Sequence, residues 1–132
     1  MILFIIYGDF AFLPEDQIDE LLTKLNGKKI FIFGNHDKGM RSDCIRKHFE
    51  VMTTYLEVYH NKQLICMMHY PLGEFNKCHH GAFHIHGHCH GNYKPPVPCR
   101  IMDVGVPCIN YTPISLDAII AKLSPMPFLK HH

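Results

Sequence analysis

The sequence lacks a charge excess, an apolar run of membrane length and an export signal. Its 13 Lys and Arg nearly balance 12 Asp and Glu, for a formal net charge of +1 over 132 residues. That balance gives no broad attraction to nucleic acid or to an anionic membrane, although a local basic patch stays open. The apolar run Met1–Tyr7 is too short to cross a bilayer. It has no basic flank and no small-residue cleavage site, so no signal peptide is expected. No Cys-x-x-Cys pair occurs among Cys44, Cys66, Cys78, Cys89, Cys99 and Cys108. Without an export signal, these read as reduced thiols of a cytoplasmic protein rather than a disulfide scaffold. Repeats and low-complexity tracts are missing too. The length suits one domain over residues 1–124, followed by a loose tail over 125–132.

What is abundant is histidine, 12 of 132 residues, beside 6 Cys and 7 Met. That density favours metal chemistry. A hydrophobic fraction of 47% is enough for a folded core.

Ile2–Tyr7 and Lys29–Phe33 are continuous apolar runs ending in glycine, as strands buried on both faces are. Between them Pro14, Glu15 and Asp16 start a helix. Ile18, Leu21, Leu22 and Leu25 continue it at helical spacing, and Gly27 stops it. Strand–helix–strand predicts a parallel α/β unit. Ser42 or Asp43 is expected to cap a short helix through His48. Tyr55–His60 and Gln63–His69 read as a hairpin turning at Asn61-Lys62. Tyr70–Gly81 reads as a loop, Ala82–His86 and Arg100–Val104 as strands, and Leu116–Leu123 as a helix capped by Ser115.

Several of these strands end beside a metal-ligand residue type. Gly8-Asp9 follows the first, Gly34-Asn35-His36-Asp37 the second, His69 closes the hairpin, and Gly87-His88-Cys89-His90 follows the next. Ligands collect at the carboxyl ends of strands in open α/β sheets. Oxygen and imidazole donors together suit Mn, Fe, Zn or a similar divalent ion. The residues alone therefore suggest a metal centre held by Asp9, Asn35, His69, His88 and His90. Each element also has an ordinary structural explanation. Gly8-Asp9 is a common turn, and Asn35 suits a left-handed position. His84, His86, His88 and His90 could simply line one face of an extended segment.

In their order, these segments resemble the calcineurin-like metallophosphoesterases. The likeness continues through Asp103-Val104-Gly105-Val106 and Pro113-Ile114-Ser115, and runs to about residue 123. It implies an α/β fold of two facing mixed β-sheets flanked by helices, as in small phage-type and bacterial members. It also implies two divalent ions (Mn, Fe, Zn or Ni). Asp9 would bridge both; Asn35, His69 and His88 would complete one site, and His90 would belong to the other. The implied reaction is hydrolysis of phosphomono- or phosphodiesters by a metal-activated hydroxide. His36 would contact the phosphate and help protonate the leaving group, and Asp37 would orient His36.

The family's opening strand ends in Asp-x-His, and no aspartate of this sequence has His two positions later. The chain therefore reads as N-terminally truncated relative to that pattern. One ion could still find Asp9, Asn35, His69 and His88, while the other would keep Asp9 and His90, with His84, His86 or Cys89 as substitutes. Three readings stay open: a metallophosphoesterase, a single-metal phosphate-binding homologue with weak or lost hydrolysis, and a structural zinc module built from Cys78–Cys99. The expected partner is a phosphoester substrate, with nucleotides and nucleic acids among the candidates. Phe10, Phe12, Tyr70, Phe75 and Tyr93 could stack on a base, and Lys38, Arg41 and Lys77 could bind phosphate. No membrane is expected, and an oligomer stays open.

Overall fold

The computed structural model describes residues 3–7, 14–35, 37–89, 91–105 and 114–130. The chain forms two compact units, Met1–Thr54 and Tyr55–His132. Each has its own sheet, three-stranded in the first and four-stranded in the second. The α/β class and the presence of two sheets agree with the sequence reading, but among the described residues only the second sheet is mixed and the first is all-parallel.

In the first unit β1 (Leu3–Tyr7), β2 (Lys28–Ile32) and β3 (Val51–Thr53) form an all-parallel sheet in that order. Helix α1 (Glu15–Lys24) crosses between β1 and β2. The Pro14 carbonyl accepts the Gln17 and Ile18 N–H groups at 3.0 and 3.1 Å, and Glu15 and Asp16 occupy the positive end of the helix. Leu25 turns extended, and Gly27 adopts φ +138, a conformation that side chains disfavour. Ile18 and Leu22 lie one turn apart and bury together with Phe31, Met40 and Ile45. The expected helix through His48 is shorter. A 3₁₀ turn over Lys38–Arg41 precedes α2 (Asp43–Arg46). Ser42 stands at the cap position, but its hydroxyl pairs with Cys44 Sγ at 3.7 Å and makes no cap bond.

In the second unit the order is β4 (Tyr55–His60), β5 (Gln63–Met68), β6 (Phe83–His86) and β7 (Arg100–Asp103). β4 and β5 form the expected hairpin, with Asn61 and Lys62 at φ +50 and +64, the left-handed pair of a type I′ turn. β5, β6 and β7 run parallel, so their carboxyl ends share one edge of the sheet. β6 is buried along its whole length. Helix α3 (Leu116–Leu123) is capped by Ser115, whose Oγ accepts the Ala118 N–H at 3.0 Å. The segment read as a loose tail makes bonds within this unit. Arg100 donates to the Met126 and Ser124 carbonyls at 3.0 and 2.8 Å, and the Leu129 N–H donates to Pro98 at 3.0 Å. The Arg100 guanidinium also lies 4.7 Å from the Phe128 ring centre. No helix among the described residues is long and apolar enough to cross a membrane.

Candidate functional site

Asp9, His36 and His90 lie outside the described residues, as do Phe10 and Phe12. The other proposed site residues divide between the units. In the first, Gly34-Asn35 follows β2. The Asp37 carboxylate is buried and accepts the Gly34 N–H at 2.5 Å, while the Asp37 carbonyl accepts the Met40 N–H at 3.0 Å. Asp37 thus ties back to Gly34. Asn35 is exposed.

In the second unit, His69 follows β5 and His88 follows β6, on neighbouring parallel strands. Their ring centres are 5.1 Å apart, and the Tyr70 ring lies 5.1 Å from His69 and 4.8 Å from His88. His69 is 2% exposed, whereas His88 faces solvent. The Gly87 N–H donates to the His69 carbonyl at 2.9 Å. A Cβ at Gly87 would sit 3.4 Å from His69 Nδ1, in ordinary contact with the ring. His88 adopts φ +66, a left-handed conformation that costs about 1 kcal/mol for a residue with a Cβ. Asp103, at the end of β7, holds the turn after it. Its carboxylate accepts the Gly91 and Gly105 N–H groups, each at 2.8 Å. A short turn is thereby fixed so that a histidine stands at the sheet edge.

The other histidines considered as substitute ligands are built into the wall. His84 Nδ1 donates to the Cys66 carbonyl at 2.9 Å, and Nε2 accepts the Leu72 N–H at 3.0 Å. Both nitrogens are spent on backbone in one neutral tautomer, which leaves no lone pair for a metal. Burial pushes the His84 pKa from 6.5 down to about 4. His86 Nδ1 donates to the Gly87 carbonyl at 2.8 Å, and its buried ring lies edge-on to Tyr93. Burial, aided by the Asp103 charge, raises the Cys89 thiol pKa and disfavours the thiolate that binds metals.

Of the aromatics, Tyr70 stands at this edge, while Phe75 is buried against His84. Lys77 donates to the Tyr59 hydroxyl at 3.1 Å. Tyr59 pairs with Leu64 near the start of β5, so Lys77 lies toward the opposite end of the sheet from His69. The Arg41 guanidinium stacks 4.2 Å from the Phe33 ring centre.

Among the described residues, one group gathers three metal-ligand atoms within 4.8 Å of one another: Glu74, Cys78 and His79. Cys78 and His79 fall in the stretch considered for a zinc module, but Glu74 was not foreseen. Its spacing of four and five residues was the available signal.

No protein-family model matches the chain. An uncharacterized protein of Methanocaldococcus jannaschii, MJ1445, is 34% identical over 106 residues, which cover 76% of this chain and 53% of that protein. The chain thus spans about half the length of the curated relative it matches. A crystal structure of a protein of unknown function from Aquifex aeolicus, AQ665, aligns over 90% of this chain and 75% of that one. The TM-score is 0.63 and the identity 25%. The α/β fold is thus shared with a solved structure, and neither name carries an activity.

Proposed function

We propose that the chain is a metal-dependent phosphoesterase of the calcineurin-like kind, with the two-sheet sandwich of that family as part of the same reading. The observation that carries it is the pairing of His69 and His88 on adjacent parallel strand ends, in a chain that also contains Gly8-Asp9, Gly34-Asn35-His36-Asp37 and His90 in the family's order. Asp9 and Asn35 would supply oxygen donors, and His69, His88 and His90 imidazole donors. That set suits Mn, Fe, Zn or Ni. When bound, such ions neutralise phosphate charge and activate a water as nucleophile.

The remaining work falls to the chain. His36 contacts the phosphate and hands a proton to the departing oxygen. Asp37, whose carboxylate accepts the Gly34 N–H, would orient His36. Asn35 donates through a neutral carbonyl and so adds no negative charge beside the phosphate. The Tyr70 ring, next to both histidines, offers a face on which a nucleotide base could stack.

The test is hydrolysis of an aryl phosphodiester by purified protein supplied with Mn²⁺. Turnover is expected, with losses of more than about 100-fold in His69→Ala and His88→Ala. A large loss in His36→Ala with metal content unchanged would separate proton transfer from metal binding. Metal uptake without turnover would favour the single-metal phosphate-binding reading. Neither uptake nor turnover would end the proposal.

A further inference from the structure

The histidine pair lies at the carboxyl ends of β5 and β6. At the other end of the same sheet, where β6 and β7 begin, a second set of ligand types converges. The Arg100 guanidinium there donates to the Gly81 carbonyl at 3.2 Å, which ties the start of β7 to the residues just before β6. Cys78 and His79 stand on the 3₁₀ turn Cys78–His80 that leads into Gly81. The strand of β6 separates the two ends by about 13 Å, so the two sets cannot share an ion. We propose that Glu74, Cys78 and His79 form a site for a borderline-soft divalent ion, zinc above all, separate from the phosphoesterase centre.

His79 carries the argument. Its Nδ1 is 2.7 Å from the Leu129 carbonyl, which can only accept, so Nδ1 bears the proton. Nε2 donates to Glu74 Oε1 at 2.9 Å, and an ion would take the place of that proton between the two atoms, with Nε2 as the ligand. Metal-bound histidines are held in this way, with one nitrogen donating to a carbonyl and the other turned to the ion. The carbonyl is fixed in its turn, because the Leu129 N–H donates to Pro98 at 3.0 Å.

Cys78 supplies the third donor. It is buried, and its Sγ lies within 4.8 Å of the other two ligand atoms. Donors on one ion with bonds of about 2.0–2.3 Å sit roughly 3–4 Å apart, so a small side-chain adjustment closes the set. The turn that carries these residues is rigid. Lys77 and Gly81 flank it in left-handed conformations, and the Lys77 carbonyl accepts the His80 and Ala82 N–H groups at 2.9 and 3.0 Å. A Cβ at Gly81 would meet Arg100 Nη1 and the Phe128 ring at 3.2 Å.

Thiolate, imidazole and carboxylate together select zinc or cobalt over magnesium or calcium. A solvated Glu–His pair alone would contribute little. A buried sulfur beside it, and an imidazole locked by a fixed carbonyl, make a metal site. The ion would fasten the loop after β5 to the segment after α3.

Cobalt(II) is the probe, because a bound thiolate gives a near-ultraviolet charge-transfer band. The full chain is expected to take up one Co²⁺ with this band. Cys78→Ser is expected to abolish the band, and Glu74→Gln and His79→Gln to weaken Co²⁺ affinity at least about tenfold. Glu74 is exposed, so its variant tests the site without disturbing the core. His69→Ala and His88→Ala are expected to keep the band, whatever becomes of phosphodiester turnover. A wild-type protein without the band overturns the site. So does a band that survives Cys78→Ser or disappears in Cys89→Ser, or an affinity unchanged in both Glu74→Gln and His79→Gln.

Discussion

His84 and His88 lie four residues apart, one inside β6 and one just beyond it, and their surroundings give them opposite properties. His84 meets a carbonyl on one side and an N–H on the other, both within 3.0 Å. Burial holds it neutral, with a pKa down to about 4. His88 sits past Gly87 in a left-handed turn, open to solvent and beside His69 and Tyr70. A histidine inside a strand becomes a cross-link between backbone groups. A histidine at the strand end keeps its ring available, and the fold accepts a strained φ to place it there. The count of histidines therefore says less than which of them have their nitrogens already engaged.

The largest expected effect tests the structural member of the pair. His84→Ala strands the Leu72 N–H and the Cys66 carbonyl and opens a cavity, at a cost of roughly 3–5 kcal/mol in urea unfolding. His88→Ala should stay within about 0.5 kcal/mol of wild type, as exposed positions do. Equal losses at the two positions would erase the contrast.

The pH dependence follows from the same burial. The His84 pKa is depressed in the folded chain, so below about 6.5 the unfolded chain takes up a proton that the folded chain refuses. This contribution is complete above pH 6.5 and is lost as the pH falls toward about 4. The difference reaches about 3 kcal/mol. Urea midpoints between pH 4 and 7 should show the decline, and His84→Gln should flatten it.

Asp103 links the strand end to the turn that carries His88. Asp103→Ala removes both carboxylate bonds, to Gly91 and to Gly105, at a stability cost of about 2 kcal/mol. If the turn positions a ligand, phosphodiester turnover should fall by roughly 10- to 100-fold as well. Lost stability with unchanged turnover would make Asp103 purely structural. The smallest effect is the reverse of the first: His88→Gly relieves the left-handed strain and should gain up to about 1 kcal/mol. Turnover should vanish in the same variant, a stability–function trade that a merely structural residue would not give.

Local signals located most of the elements. Pro14 with two acidic residues begins α1, Asn61-Lys62 makes the type I′ turn, and Ser115 caps α3. The missed pieces depend on partners distant in the chain. β3 is three residues long, too short for any periodicity, and exists because it pairs with β2. The 3₁₀ turn at Cys78–His80 has no apolar period to announce it. The candidate ligands at strand ends were legible because glycine beside Asp, Asn or His after an apolar run is a local pattern. The spent nitrogens of His84 were not, since Leu72 lies twelve residues before it in a loop. Nor was the support of His79, since Leu129 follows fifty residues later.

The most direct test of the central claim is the Mn²⁺ dependence of phosphodiester turnover in wild type, His88→Ala and the fold-retaining Asp103→Asn. Turnover is expected to saturate with Mn²⁺ in wild type, to be absent in His88→Ala at any Mn²⁺ concentration, and to require at least about tenfold more Mn²⁺ in Asp103→Asn. Superimposable curves for wild type and His88→Ala, or a wild-type protein inert at every Mn²⁺ concentration, would contradict the claim.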